Sequence, residues 1–315
     1  MYAPTLLQRT LKAPIHCSGV GVHSGRRVTL TLKPAEAGTG ITFVRTDVPA
    51  HRAVVPARWD RVCDTRLCTV VANEHGTTVG TIEHLMAALA GAGIDNAEIE
   101  LDGPEVPIMD GSAEPFLFLV DCAGQVDEDT PRRAIRVLRP ITVSDDKGAS
   151  ATLQPAVGFS INCEIDFASR AIGHQRFALS PTVDDFKAEI SRARTFGFLH
   201  EVEQLRAAGL ARGGSLENSV VVNGDSVLNE DGLRYEDEFV RHKILDAMGD
   251  LALAGAPIMG RFVGVKSGHR LNNLVLRALF ADPQAWRMEV PTAADWAGAE
   301  WAGADWNDQP LAKTA

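Results

Sequence analysis

His242 and Asp246 stand four residues apart in the stretch Glu238-Phe239-Val240-Arg241-His242-Lys243-Ile244-Leu245-Asp246-Ala247-Met248-Gly249-Asp250-Leu251. Four residues is close to one helical turn. On a helix the imidazole and the carboxylate therefore project the same way and can grip one divalent metal. The stretch carries a helical pattern. Ile244, Met248 and Leu251 recur at helical spacing, Leu245 widens the apolar stripe, and His242, Asp246, Gly249 and Asp250 fall on another face. The same pair also suits a plain solvated helix surface, so metal chemistry requires further ligands elsewhere.

The first half of the chain offers one. In Thr81-Ile82-Glu83-His84-Leu85-Met86-Ala87-Ala88-Leu89-Ala90-Gly91, residues Ile82, Leu85, Met86 and Leu89 form a core stripe, and Thr81 suits an N-cap. His84, Ala87, Ala88 and Gly91 share a face of very small residues, which lets another element pack close to the imidazole. His84 is the best further ligand candidate, although a satisfied core histidine would give the same pattern. Glu83 beside it is the candidate base. Two neutral imidazoles and one carboxylate leave a bound zinc with net positive charge, and a water in an open fourth position becomes acidic. A neighbouring carboxylate can take that water's proton. His269, in a Ser267-Gly268-His269 turn, could protonate a leaving group, and Asp250, one turn beyond Asp246, could orient it.

These residues sit in two α+β units and a tail. Residues 1–127 hold strand runs at Val28–Leu32, Ile41–Arg45, Leu67–Val71 and Asn96–Leu101, with helices at Thr81–Gly91 and Pro115–Cys122. Asp127-Glu128-Asp129-Thr130-Pro131 reads as a linker. Residues 132–288 hold strands near Ala134–Val137, Ala151–Leu153, Phe159–Ile165, Val220–Val222 and Arg261–Val265, with helices near Asp185–Arg192, Glu201–Ala208 and Glu238–Leu251. Each half has a His-bearing helix running into an Ala/Gly-rich end, Leu89-Ala90-Gly91-Ala92-Gly93 and Leu253-Ala254-Gly255-Ala256-Pro257, and then a strand, so a two-domain repeat is expected. Residues 289–315 form a low-complexity tail with a Trp-containing repeat.

The bulk numbers limit the function classes. The chain has 315 residues, 45% hydrophobic and 23% charged, which suffices for a real core. A net charge of -10 argues against non-specific nucleic-acid binding but allows a local basic pocket for an anionic substrate. The five cysteines are odd in number and lack a C-x-x-C pair, so a disulfide framework is not expected and a reducing cytoplasm fits. Nothing reads as a signal peptide or a membrane span. A lipid substrate would be met from the aqueous side, without stable membrane insertion.

Five blocks carry a family resemblance: Thr81–Leu85, Pro107-Ile108-Met109-Asp110-Gly111-Ser112, Ser191-Arg192-Ala193-Arg194-Thr195-Phe196-Gly197-Phe198, the Glu238–Leu251 stretch, and Lys266-Ser267-Gly268-His269. In this order, over residues 3–288, the chain resembles the UDP-3-O-acyl-N-acetylglucosamine deacetylases, zinc enzymes of lipid A biosynthesis. The resemblance implies an α+β fold of two similar domains, each a sheet with packed helices, whose helix layers face each other across the site. It implies zinc ligands at His84, His242 and Asp246, a general base at Glu83, a second acid/base group at His269 with Asp250 beside it, and an oxyanion-side hydroxyl at Thr195. It implies Lys243 and Lys266 near the polar head of a UDP-linked acylated sugar, Phe167 against uracil, and an acyl passage formed by Leu199–Val222. A plain βαβ excursion there is equally compatible with the residues.

Two other readings stand beside it: a zinc amidase or peptidase acting on another substrate, and a non-catalytic sugar-nucleotide-binding protein. H-E-x-x-H is absent from the chain, which counts against the common peptidases. Structural zinc sites are usually closed by four protein ligands, so three candidates favour catalysis.

Overall fold

The computed structural model describes residues 6–297. Its first large sheet runs in the order Ile15–Val20, Arg27–Pro34, Ala97–Leu101, Ile41–Arg45, Val54–Pro56. The Ala97–Leu101 strand is central, antiparallel to Arg27–Pro34 and parallel to Ile41–Arg45. Alternation explains its place. Ala97, Ile99 and Leu101 are buried, whereas Glu98 and Glu100 face outward to Lys33.

The second large sheet repeats this arrangement. Ile258–Val265 is central, antiparallel to Ser150–Gln154 and parallel to Phe159–Asp166. Ile141–Ser144 and His174–Leu179 lie outside these as hairpin partners. Ala134–Val137 and Trp286–Glu289 extend the sheet beside the start of the central strand. In both halves one helix precedes the central strand and another follows it: Glu83–Ala92 and Glu114–Ala123 in the first, Glu238–Ala252 and His269–Ala281 in the second. The two Ala/Gly-rich ends fall at the same topological point, between the leading helix and the central strand.

The two leading helices pack against each other. Their approach is close because Gly249 has no side chain: a Cβ there would run into the Glu83 backbone. Gly91 likewise leaves room for the Phe186 ring. The small face expected beside His84 is buried, with Ala87 and Ala88 fully enclosed. The Glu238–Ala252 helix is buried around most of its circumference, including His242, Asp246 and Asp250. This excludes the solvated-surface alternative and obliges those polar groups to find partners.

Several expectations are corrected. Thr81 does not cap its helix, which begins at Glu83 after Ile82. Its φ is +55°, and its hydroxyl donates to Glu105 Oε2 at 3.2 Å instead. The expected linker at Asp127–Pro131 is part of a strand, Gln125–Pro131, paired antiparallel with Leu7–Leu11. The expected Asp185–Arg192 helix is a short turn at Val183–Asp185 with a Thr182–Asp185 capping box, followed by a π-helical turn at Phe186–Ile190. His269 opens a 13-residue helix rather than ending a turn. The apolar positions Leu271, Val275, Leu276 and Leu279 behind it carried that signal. In the expected tail, Ala293–Ala297 is helical and Asp295 Oδ1 accepts from Arg136 Nη2 at 2.6 Å. Trp301 and Trp306 lie outside the described residues.

Candidate metal centre

His84 comes from the second position of the Glu83–Ala92 helix, and His242 and Asp246 from the helix that crosses it. One ligand atom from each lies within 4.8 Å of the others. His242 Nε2 is 3.2 Å and His84 Nε2 3.6 Å from Asp246 Oδ1. All three residues are buried. His242 Nδ1 lies 3.0 Å from the Ala193 carbonyl, which makes Nδ1 the donor and leaves the Nε2 lone pair facing the cluster. Burial pushes the His84 imidazole down, toward the neutral form that ligates metal. Asp246 is buried too, but His242 and Lys243 outweigh that and hold its carboxyl well below the usual range. Lys243 Nζ donates to Asp246 Oδ2 at 2.9 Å. Asp246 Oδ1 has no hydrogen-bond partner among the described residues although it is fully buried. An orphaned buried carboxylate oxygen facing two imidazole nitrogens is costly unless a cation joins them. The donor set fits a divalent metal that accepts N and O ligands.

A hydrogen-bonded acid/base group lies next to this cluster. Glu83 Oε2 accepts from the Thr69 N–H at 3.0 Å, and Glu83 Oε1 is 3.8 Å from His269 Nε2. Burial raises the Glu83 carboxyl to about 7. His269 Nδ1 donates to Asp250 Oδ2 at 2.9 Å. Asp250 also accepts from the Thr69 hydroxyl at 2.5 Å and from Asn272 Nδ2 at 2.9 Å. Burial opposes the imidazolium, but the Asp250 and Glu83 carboxylates prevail and lift His269 to about 10. Near neutral pH the site thus holds a carboxyl poised to give up its proton and an imidazole that keeps one, an arrangement suited to separate base and acid roles.

Both groups open onto a cavity of about 380 Å³, lined by Glu83, His84, Lys243, Asp246, His269, Thr195 and Phe196 and continued by Leu199, Val202, Leu205, Leu216 and Val221. Leu199, Val202, Leu205, Leu216 and Val221 come from the 199–222 excursion, and Val22, Leu67, Ile108 and Leu228 add to the apolar lining. The excursion is a βαβ unit: Phe196–Phe198 pairs parallel with Val220–Asn223, and the Leu199–Ala207 helix lies between them. Thr195 is held by its backbone, donating to Gly111 O and accepting from Val220 N–H, both at 2.8 Å. Gly111 has φ of +84°, and a Cβ there would strike the Asn218 carbonyl. Arg194 forms a buried pair with Glu238 at 2.8 Å, tying this segment to the start of the second helix.

Two of the three expected substrate-binding residues stand outside the cavity lining. Lys266 Nζ donates to Asp166 Oδ2 at 2.8 Å on the exposed side. Phe167 packs edge-on against Phe196, with ring centroids 5.8 Å apart. The sequence reading gave no role to Phe196, the aromatic that does line the cavity, with Lys243 Nζ 5.5 Å from its ring centre. It also gave none to Thr69. Phe196 was visible beside Thr195 in a motif block, whereas Thr69 carries no local signal because its partners are 14 and 181 residues away.

A family profile described as UDP-3-O-acyl N-acetylglycosamine deacetylase matches residues 8–281. A protein of Phenylobacterium zucineum (strain HLK1) named UDP-3-O-acyl-N-acetylglucosamine deacetylase is 55% identical over 284 residues, covering 90% of this chain and 96% of the relative. Proteins of the same name from Shewanella sp. (strain W3-18-1) and Shewanella oneidensis are 51% and 50% identical, each match covering 90% of this chain and 92% of the relative. The matched range takes in the five sequence blocks and both crossing helices, and on this ground the chain belongs to the UDP-3-O-acyl-N-acetylglucosamine deacetylase family.

Proposed function

We propose that this chain is a zinc-dependent deacetylase that hydrolyses the N-acetyl group of UDP-3-O-(3-hydroxyacyl)-N-acetylglucosamine and releases acetate in lipid A biosynthesis. The observation that carries the reading is the orphaned, buried Asp246 Oδ1 facing His84 and His242, with Glu83 and His269 beside it. His84, His242 and Asp246 would hold the zinc, which when bound polarises the acetamide carbonyl and acidifies water. Glu83 takes the proton of the attacking water. The Thr195 hydroxyl donates to the oxygen on which charge develops, a preorganised contact commonly worth about 100-fold or more in rate. His269 gives its proton to the departing sugar amine, and Asp250 keeps that imidazole oriented and charged. The C–N bond breaks, the acetyl group leaves as acetate, and the free amine stays on the sugar.

The apolar half of the cavity suits the acyl chain, and Lys243 with Phe196 suits the sugar. We assign Lys266 and Phe167, outside the lining, to the parts of the UDP head that project from it. The reading includes two domains, residues 1–127 and 132–288, with the reaction at their junction. We place it in the cytoplasm, in keeping with five free cysteines. No described helix is long and apolar enough to cross a membrane.

The test is acetate release from the UDP-linked acylated sugar with and without a chelator. Release that stops with chelator and returns with zinc is the expected result. An inactive protein, or release indifferent to chelator, overturns the proposal.

A further inference from the structure

We propose that Thr69 is a positioning residue that sets Glu83 and Asp250 on either side of the His269 imidazole. The inference rests on the acid/base reading above. Thr69 is 1% exposed and immediately precedes the strand Val70–Ala72. That strand pairs with Thr78–Val79, which leads into the Glu83 helix. All three polar groups of Thr69 are engaged at the site. Its N–H donates to Glu83 Oε2 at 3.0 Å, and its hydroxyl donates to Asp250 Oδ1 at 2.5 Å. Its carbonyl accepts from the Ile82 N–H, at the entry to the helix, at 3.5 Å.

The pattern of oxygens gives the role. A carboxylate can turn about its terminal bond and present either oxygen. Thr69 holds the outer oxygen of each carboxylate, which leaves the inner ones for the imidazole: Asp250 Oδ2 at 2.9 Å from Nδ1 and Glu83 Oε1 at 3.8 Å from Nε2. One side chain and its own backbone therefore fix two carboxylates contributed by two helices. Asn272 supplies the other donor to Asp250, on the oxygen that already faces His269. Without the Thr69 hydroxyl, Asp250 Oδ1 would lack this buried donor. The carboxylate would gain by turning, and the imidazole would lose its alignment. Thr69 does not line the cavity, so it acts through these carboxylates rather than on substrate.

The hydroxyl is the half that substitution can remove. Thr69→Val keeps the shape and the N–H bond to Glu83 and deletes the donor to Asp250. The zinc-loaded full chain is assayed for acetate release as wild type, Thr69→Val, Thr69→Ser, His269→Ala and the Thr69→Val/His269→Ala double variant, with zinc content measured on each. Expected is a fall in kcat of about 10- to 100-fold for Thr69→Val, the range of one hydrogen bond to a charged group. KM and zinc content should hold, and Thr69→Ser should recover activity to within about threefold of wild type. In the His269→Ala background, Thr69→Val should cost less than about twofold more, because the group it positions is gone. If Thr69→Val does not fold, Thr69→Cys, similar in size with a weak donor, takes its place. Wild-type kcat in Thr69→Val, a Thr69→Ser variant as slow as Thr69→Val, or losses that multiply with His269→Ala would each overturn the assignment. If wild type is inactive, the deacetylase reading falls and takes this one with it. An active wild type with an unaffected Thr69→Val sinks the Thr69 assignment alone.

Discussion

Gly249→Ala adds one methyl group where the two helices that carry the proposed metal ligands pack together. An ideal Cβ there lies 2.8 Å from the Glu83 carbonyl carbon and 3.0 Å from Glu83 Cα, and nearer still to the carbonyl oxygen. Ordinary contact begins at 3.4 Å. The obstacle is helix backbone, so no rotamer change relieves it and one helix must move away from the other. Inserting a methyl into a packed core costs about 1–3 kcal/mol. Here the displacement also separates His84 and Glu83 from His242, Asp246 and Asp250, the two halves of the site. A misplacement of about 1 Å at reacting groups can cost about 100-fold in rate. Gly249→Ala should thus lower kcat by about 10- to 100-fold, weaken zinc binding and reduce unfolding free energy by about 1–3 kcal/mol, with an unchanged far-UV spectrum. The measurements are acetate release, zinc competition against a chromophoric chelator, and denaturant unfolding. Wild-type values in all three would refute the claim that this crossing sets the ligand geometry.

Four further outcomes follow from the structure. His84→Ala should lose zinc, because it removes one of the three proposed ligands. His269→Ala should retain zinc and lose most turnover, and metal analysis showing full zinc in His84→Ala would defeat the ligand assignment. The pH profile of kcat/KM should be bell-shaped. The rate climbs as Glu83 loses its proton at about 7 or lower, since a bound cation beside His84 favours the carboxylate, and declines as His269 loses its proton near 10. A profile flat from pH 5 to 11 would contradict both roles. Glu238→Ala leaves the buried Arg194 guanidinium unpaired and should cost about 3–5 kcal/mol of stability, against a smaller loss for Glu238→Gln; denaturation showing under about 1 kcal/mol would refute the clasp.

Much of this site could be read without coordinates, for a definite reason. His242 and Asp246 share a helix, and so do Glu83 and His84. Helical spacing converts sequence distance directly into a common direction. The strands Ile41–Arg45 and Phe159–Ile165 likewise carry their pattern locally, in β-branched residues. Where a local rule competes with a long-range partner, the reading gives way. Thr81 has the chemistry of a cap, but Glu105, 24 residues on, takes its hydroxyl. Asp127–Pro131 has the composition of a linker, but it pairs with Leu7–Leu11, more than 100 residues earlier.

The residue types, the two helices and the family were thus available from the chain alone, because each rests on short-range periodicity or ordered motifs. Packing settled what no local pattern encodes. The absence of a side chain at Gly249 lets the two helices close up until His84 meets His242 and Asp246. Burial raises the proton affinity of Glu83, and the Asp250 and Glu83 carboxylates raise that of His269 against burial, although Glu83 and His269 are 186 positions apart in the numbering and 3.8 Å apart in space. Thr69 entered the site by the same route. Its sequence context is that of a strand residue, and only the fold brings it between carboxylates from both crossing helices. Desolvation and hydrogen bonding depend on what surrounds a group in three dimensions, and for these residues the surroundings come from distant parts of the chain.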